Sequence, residues 1–280
     1  MNREPSNVAT TLADAHSRGV TRLDAQLMLA RLMAVPRTWL IAHDDTLLEA
    51  DIATRWTGWL ERRASGEPLA YLFGEKEFRG LLLEVTPAVL VPRPETELLV
   101  DWADDLLGGG SARNDVVDLG TGSGAIALAI KHEHPYARVV ATDTSPEALA
   151  IARGNARRLS LAVEFVAASW WCGLEGRRFD VVLSNPPYVR DGDPALESLR
   201  HEPSSALTPG GDGFGAFEAI VAGVADHLHA NGWLVLEHGF DQAEAVRGLL
   251  RAAGFVDAET RRDLAGHARA SAARWRGAPA

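Results

Sequence analysis

At 280 residues, 46% of them hydrophobic and 24% charged, the chain is long enough for one large domain or two modest ones around a sizeable core. Its 38 acidic residues outweigh 28 basic ones, for a net charge of −10, so it should grip phosphate backbone poorly unless a basic patch is hidden within the total. A single cysteine, Cys172, excludes an internal disulfide and suits a reducing, cytoplasmic setting; beside Trp170-Trp171 it is expected as a core thiol.

The chain starts Met1-Asn2-Arg3-Glu4-Pro5, without the basic-then-apolar pattern of a signal peptide, and no apolar run approaches the length of a membrane span. The first seventy-odd residues read as helices only. Ser6 to Ser17 is amphipathic and closed by Gly19. Thr21-Arg22-Leu23-Asp24 resembles a capping box, with Asp in place of Glu, ahead of a helix ended by Pro36. A short helix over Thr38 to Ala42 and a longer one over Leu48 to Ser65 follow, until Gly66-Glu67-Pro68 stops the pattern. Ile52, Trp56, Trp59 and Leu60 share one side of the longer helix and are expected in a core.

From Leu69 the character changes. Apolar-rich runs over Phe73 to Phe78 and Leu81 to Val85 flank Arg79-Gly80, as a β-hairpin would. Val91-Pro92-Arg93-Pro94 makes a stiff connector into a helix over Glu95 to Leu107, with Glu95 and Glu97 suited to its N-terminus. Gly108-Gly109-Gly110-Ser111 is a flexible break. After Asn114, strands near Val116–Leu119, Arg138–Asp143, Ala162–Val166, Asp180–Ser184 and Trp233–His238 alternate with helices. Those helices fall near Gly124–His132, Ser145–Leu159, Phe214–Ala230 and Gln242–Ala253. This is the order of a doubly wound sheet, which strands near Phe255–Thr260 and Ala270–Trp275 would complete at seven. The division expected is a helical domain over residues 1–72, a hairpin and proline-rich connector over 73–94, and an α/β domain over 95–280. His132 and His134 lack further ligands at metal spacing and are expected as solvated helix-end residues, so no metal is assigned.

Two motifs carry chemistry. In the first, the strand ending at Asp118-Leu119 runs into Gly120-Thr121-Gly122-Ser123-Gly124 and then a helix, a turn that lets a ligand approach the backbone and the free N–H groups of the helix start. Asp143, twenty-three residues after Gly120 and at the next strand's end, is placed to accept hydrogen bonds from ribose hydroxyls. These residues describe a nucleoside-cofactor site. Gly120 to Ala125 formally matches the dinucleotide fingerprint. In the second motif, Asn185-Pro186-Pro187-Tyr188 follows the apolar run Phe179 to Ser184. Two successive prolines force the chain out of the sheet and leave a carboxamide on a rigid turn beside an aromatic ring, suited to holding a planar NH2-bearing group.

Taken together, the Asp-x-Gly-x-Gly-x-Gly run and Asn-Pro-Pro-Tyr resemble S-adenosylmethionine (SAM) methyltransferases rather than dinucleotide enzymes. With Val91-Pro92-Arg93-Pro94-Glu95-Thr96-Glu97, His201-Glu202-Pro203-Ser204-Ser205-Ala206-Leu207, Gly210-Gly211-Asp212-Gly213 and Leu236-Glu237-His238-Gly239 in order, the chain resembles the peptide chain release factor glutamine N5-methyltransferase family from about Leu69 to Gly239. That resemblance implies a class I SAM-dependent methyltransferase fold with its last strand reversed. The helical N-terminal domain would recognise the protein substrate.

The implied reaction transfers a methyl group from SAM to the side-chain amide nitrogen of the glutamine in a release factor's Gly-Gly-Gln tip, a modification in translation termination. Gly120, Thr121, Gly122, Ser123 and Gly124 would wrap SAM, Asp118 would sit near its ammonium, Asp143 would take its ribose, and Trp170, with Trp171 the alternative, would cover the adenine. Asn185 Oδ1 and the Pro186 carbonyl would accept the substrate's two N–H bonds, with Pro187 and Tyr188 walling the amide; Asn185 would also border the cofactor. His201, Glu202 and Glu237 are expected to be structural. The partners implied are release factors, with no direct nucleic-acid binding, no membrane and a monomeric state. The alternative is a nucleic-acid amino-group methyltransferase of the adenine N6 type, which shares Asn-Pro-Pro-Tyr but should carry a basic, aromatic-studded surface.

Overall fold

The computed structural model describes residues 6–108 and 113–277. The N-terminal pentapeptide Met1 to Pro5 and the Gly109-Gly110-Ser111 part of the expected break lie outside the described residues. The chain divides into two units, one reaching Gly74 and the other starting at Glu75.

The first unit is helical: α1 (Val8–Ser17), α2 (Arg22–Met33), α3 (Arg37–Ala42), α4 (Ala50–Ala64) and α5 (Leu69–Phe73). A full capping box forms at α1, where the Asn7 side chain accepts from Thr10 N while the Thr10 hydroxyl accepts from Asn7 N. At α2 only half a box forms. Thr21 accepts from Asp24 N, but the Asp24 carboxylate meets Arg63 at 3.0 Å. Met28, Leu29, Leu40, Trp56, Leu60 and Leu72 are buried together, so the Trp and Leu stripe is core as expected. Helix α5 was not expected. Pro68 precedes it and Gly74, at φ 72°, ends it, so the hairpin begins at Glu75 rather than Phe73.

In the second unit β1 (Glu75–Phe78) and β2 (Leu81–Glu84) pair antiparallel around Arg79-Gly80. The hairpin expected as a connector therefore counts with the sheet-bearing unit. A 3-10 turn over Pro94–Thr96 leads into α6 (Glu97–Leu107). There follow β3 (Asp115–Leu119), α7 (Ala125–Glu133), β4 (Arg138–Asp143), α8 (Pro146–Leu159), β5 (Glu164–Ala167) and β6 (Phe179–Ser184). Next come α9 (Ala195–Ser198), a 3-10 turn over Ser204–Ala206, α10 (Gly215–His227), β7 (Leu228–Glu237), α11 (Ala243–Ala252), β8 (Val256–Arg262) and β9 (Ala268–Arg274). Seven strands among the described residues lie in the order β5-β4-β3-β6-β7-β9-β8, with β9 antiparallel to both neighbours.

Alternation along the central strands sorts two cores. Val116, Val181, Leu183 and Val235 face the layer of α6 and α7; Val117, Leu119, Val182, Leu234 and Leu236 face the layer of α10 and α11. Helix α10 ends at His227 rather than near Ala230, because β7 starts at Leu228, opposite Phe179, and absorbs a register shift before Trp233. Two other expectations are corrected. Cys172 is exposed, since the buried partner in that stretch is Trp171. His134 is buried, with Nε2 2.7 Å from Asp104 Oδ1, in a cluster where Arg79 also meets Asp101, Asp104 and Glu133.

Trp171 is held by its Nε1–H donating to Ile220 O at 2.8 Å, and its ring lies where a Cβ on Gly223 would stand. Gly223→Ala should therefore cost about 1–3 kcal/mol through overpacking, against the roughly 1 kcal/mol that Ala gains over Gly in a helix. Gly248→Ala in α11 meets nothing within 4 Å and should stabilise by about 0.5–1 kcal/mol. Urea unfolding of the two variants checks the opposite signs.

Candidate active site

Parallel strands deliver their carboxyl ends to one edge of the sheet, and a cavity of about 320 Å³ opens there. Its floor is the β3–α7 turn. Gly120 N and Thr121 N both donate to Thr142 O, at 2.9 and 2.7 Å, which folds the turn onto the end of β4. Gly124, at φ 88°, is the N-cap of α7, and its missing Cβ leaves room for Leu128 and Ala152. Asp143 Oδ2 accepts from Gly122 N and Oδ1 from Ser145 N, each at 2.9 Å, so the acid is oriented at the rim with lone pairs remaining. Ser145 in turn caps α8 by accepting from Ala148 N.

Trp170 lines the cavity beside Gly120, while Trp171 turns into the core. Trp170 itself sits in the left-handed region, at φ 52°. The outer wall comes from two distant segments, Ala88 to Arg93 and Pro203 to Ala206. Glu202 joins them. Its Oε2 accepts from Val91 N at 3.0 Å and its Oε1 from the Arg93 guanidinium, and its side chain is 2% exposed.

Asn185 and Pro187 line the same cavity. Asn185 Nδ2 donates to Thr96 Oγ1 at 3.2 Å, and among the described residues neither Asn185 Oδ1 nor the Pro186 carbonyl accepts a hydrogen bond. The cavity thus pairs a glycine-turn cradle, an acid and an indole with an open carboxamide oxygen on a prolyl turn.

A methyltransferase small domain model matches residues 95–214, and a PrmC N-terminal domain model matches residues 7–74. A release factor glutamine methyltransferase from Burkholderia pseudomallei is 46% identical, over 99% of this chain and 100% of its own length. The chain belongs to the release factor glutamine methyltransferase family. A relative of the same name from Xylella fastidiosa is 46% identical over 98% of this chain and 99% of its own length. A T. thermophilus 16S rRNA methyltransferase, solved with AdoMet and guanosine, shares the fold at TM-score 0.54 and 20% identity, covering 72% of this chain and 50% of that one. The fold is the class I methyltransferase fold, with the reversed strand that the family resemblance implied.

Not every expected residue reaches the cavity. Gly120, Thr121, Gly122, Ser123, Asp143, Trp170, Asn185 and Pro187 do; Asp118, Gly124, Pro186, Tyr188, His201 and Glu237 do not line it. Tyr188 lines a neighbouring cavity with Phe214, Phe240 and Arg269, and its hydroxyl donates to Glu237 Oε1 at 3.4 Å. Its backbone is gripped from behind: Gln242 Nε2 donates to Tyr188 O at 3.1 Å, and Gly213 packs against the same carbonyl. The sequence reading missed the Glu202 clamp and Asn155. Asn155 is fully buried on α8, where its carboxamide accepts from Glu84 N and donates to Glu84 O and Ser123 O, tying the hairpin to the glycine turn. A lone Asn among Leu149, Ala152 and Ala156 on a buried helix face was the available signal.

Asp118 is fully buried under the turn. Its Oδ2 accepts from the Thr121 hydroxyl at 2.5 Å, and Oδ1 has no partner among the described residues. Burial pushes its carboxyl up to about 7, helped by the nearby Asp143 charge and opposed by the Thr121 hydroxyl and Ala127 N–H. An acid whose folded value is raised adds stability that is full below its ordinary value and lost as pH rises through about 7. The unfolding free energy of the wild type minus that of Asp118→Asn should therefore fall as pH rises from about 4 to 8. Parallel urea titrations across that window test the sign.

Proposed function

We propose that this protein transfers a methyl group from S-adenosylmethionine to the side-chain amide nitrogen of the glutamine in a release factor's Gly-Gly-Gln tip. The observation that carries the reading is the Asn185 carboxamide oxygen, open at the wall of a cavity whose floor is a glycine turn and an oriented acid. Family membership supports the choice of a glutamine amide as acceptor.

The residues present fit SAM. The open face of the glycine turn and Ser123 suit its amino-acid portion, Asp143 its ribose hydroxyls and the Trp170 ring its adenine. Asp118 acts from below by holding Thr121. When bound, SAM supplies a methyl group on a sulfonium, so the protein's task is alignment. An amide nitrogen is a weak nucleophile because its lone pair is delocalised into the carbonyl. Asn185 Oδ1 accepts from its N–H, aims the nitrogen and favours its pyramidal form. Pro187, rather than Tyr188, walls the amide. No strong base is needed, since the alkylated nitrogen is very acidic and gives up its proton after transfer.

The helical unit is assigned to recognition of the protein substrate. Carboxylates cover its adjacent cations Arg62 and Arg63, Arg62 meeting Glu67 and Arg63 meeting Asp24. That arrangement favours a protein over a nucleic-acid acceptor.

Asp143→Ala should weaken SAM binding by about 1–3 kcal/mol in calorimetry, the cost of lost charged hydrogen bonds. Asn185→Ala should leave SAM affinity nearly unchanged and lower kcat by about 10²–10³, because its contact acts on the acceptor in the transition state. Intact mass of a release factor after incubation with enzyme and SAM should rise by one methyl group. A Gln→Glu change at the tip should abolish the gain; methylation persisting elsewhere on that factor would refute the assigned acceptor.

A further inference from the structure

The amino ends of the parallel strands form the sheet edge opposite the cofactor cavity, and another cavity, of about 950 Å³, opens there. Asp115, Arg138, Glu164 and Phe179, the first residues of β3, β4, β5 and β6, all line it. A cavity of about 480 Å³ adjoins it, sharing Ala162 and Val163. None of these residues takes part in the methyl transfer described above.

Cations dominate both linings. The larger holds Arg113, Lys131, Arg138, Arg177 and Arg178, and the smaller Arg153 and Arg157, together a quarter of the chain's 28 basic residues. Two lining carboxylates oppose these seven: Asp115 meets Arg138 and Glu164 meets Arg177, both pairs partly open to water. Asp180, on the neighbouring stretch of β6, is turned to the Asp115 N–H. Helices α7 and α8 end at this edge, with Lys131 and Arg157 in their last turns, and each terminus brings about half a negative charge. Three carboxylates and two helix ends offset about four of the seven cations, so the edge stays positive on a chain whose net charge is −10.

Backbone oxygens hold several of these cations in place without cancelling their charge. Lys131 Nζ donates to Pro135 O and Ala137 O, each at 2.8 Å, Arg178 to Leu228 O at 2.8 Å, and Arg153 to Phe165 O at 3.1 Å. Arg113 and Arg157 have no side-chain partner among the described residues. Tyr136 lines the larger cavity and is 68% exposed, which sets an open aromatic ring beside the cations.

We propose that this edge docks single-stranded RNA, with guanidinium groups on successive phosphates and the Tyr136 ring stacked on a base. Six of the seven cations are arginines, whose planar fork pairs with two phosphate oxygens at once. An open ring beside fixed cations suits a strand whose bases are free to splay, whereas an acidic peptide would match the charge and leave the ring without a planar partner. RNA rather than DNA rests on the reading above, since a release factor works among RNA strands. The RNA is held, not methylated: β4 rises about 15–20 Å from Arg138 to Asp143, so a base on Tyr136 sits at the wrong end of the sheet for Asn185. Total charge pointed away from nucleic acid because it averages over this edge.

The test titrates the full-length protein into a labelled mixed-sequence RNA of about 20 nucleotides and follows anisotropy from about 50 to 300 mM salt. Affinity should fall with a log–log slope of about −3.5 to −5, as five to seven contacts to single-strand phosphates require. The double variant Arg113→Gln, Arg157→Gln should reduce the size of that slope by about 1.4, and Tyr136→Ala should weaken binding by about 5–150-fold with the slope unchanged. Both variants should methylate a free release factor at the wild-type rate, which also reports that they are folded.

Absence of RNA binding at about 50 mM salt overturns the proposal, as do a slope and an affinity indifferent to all three substitutions. Displacement of the RNA by polyglutamate at equal charge concentration overturns it in favour of an acidic protein. Methyl groups from SAM appearing in the RNA make it an acceptor and overturn docking. Tighter binding of DNA of the same sequence overturns the choice of RNA. A release factor left unmodified by a protein that binds RNA in the expected way refutes the substrate reading and leaves the docking edge supported.

Discussion

Two oxygens of one buried carboxylate hold the outer wall of the cavity to the body of the fold. Glu202 accepts from Val91 N and from the Arg93 guanidinium, across 111 positions of sequence in the first case. Taking a carboxylate out of water costs several kcal/mol, and full partnering offsets it. With both oxygens engaged, the Ala88 to Arg93 segment and the Pro203 to Ala206 segment face one another across the cavity. Loss of either partner would leave a charge stranded, so the wall stands or falls as a unit.

Buried carboxyl groups near the site differ in how far their needs are met. Glu202 is satisfied at both oxygens; Asp118 has the Thr121 hydroxyl on one oxygen only; Glu237 has the Tyr188 hydroxyl on Oε1 and a bare Oε2. The satisfied group holds architecture, and the unsatisfied ones stand behind residues proposed above to meet ligands. A reaction whose rate comes from alignment needs supports of both kinds. Asn155 is the neutral counterpart, a carboxamide whose three backbone bonds lock the hairpin to the glycine turn without any charge to desolvate.

The central strands were legible because β3, β4 and β6 are buried on both faces, so their sequences are apolar runs bounded by Gly, Pro or Asp. The glycine turn, Asp143 and Asn185 were legible because backbone chemistry alone demands those residue types. Helix α5 was not, since five residues after Pro68 carry too little periodicity to register. His134 and Cys172 exchanged their expected environments because burial at a helix end depends on what packs there: Asp104 reaches His134, while Trp171 takes the core position beside Cys172. The direction of Tyr188 and the part played by Glu202 depend on partners more than forty residues away, which local pattern cannot register.

The order of the last strands has its own consequence. Strand β9 follows β8 in the chain yet lies between β7 and β8. Strand β8 is thus held in the sheet by β9 alone, and the two form an antiparallel pair distinct from the parallel body of the sheet. Glu237 lies opposite Ala270 of that pair. Detachment would rehydrate the carboxyl, and an acid raised to about 7 favours the hydrated form increasingly as pH climbs toward that value. Exchange of the sheet's far hairpin with solvent should therefore become easier as pH rises toward that value.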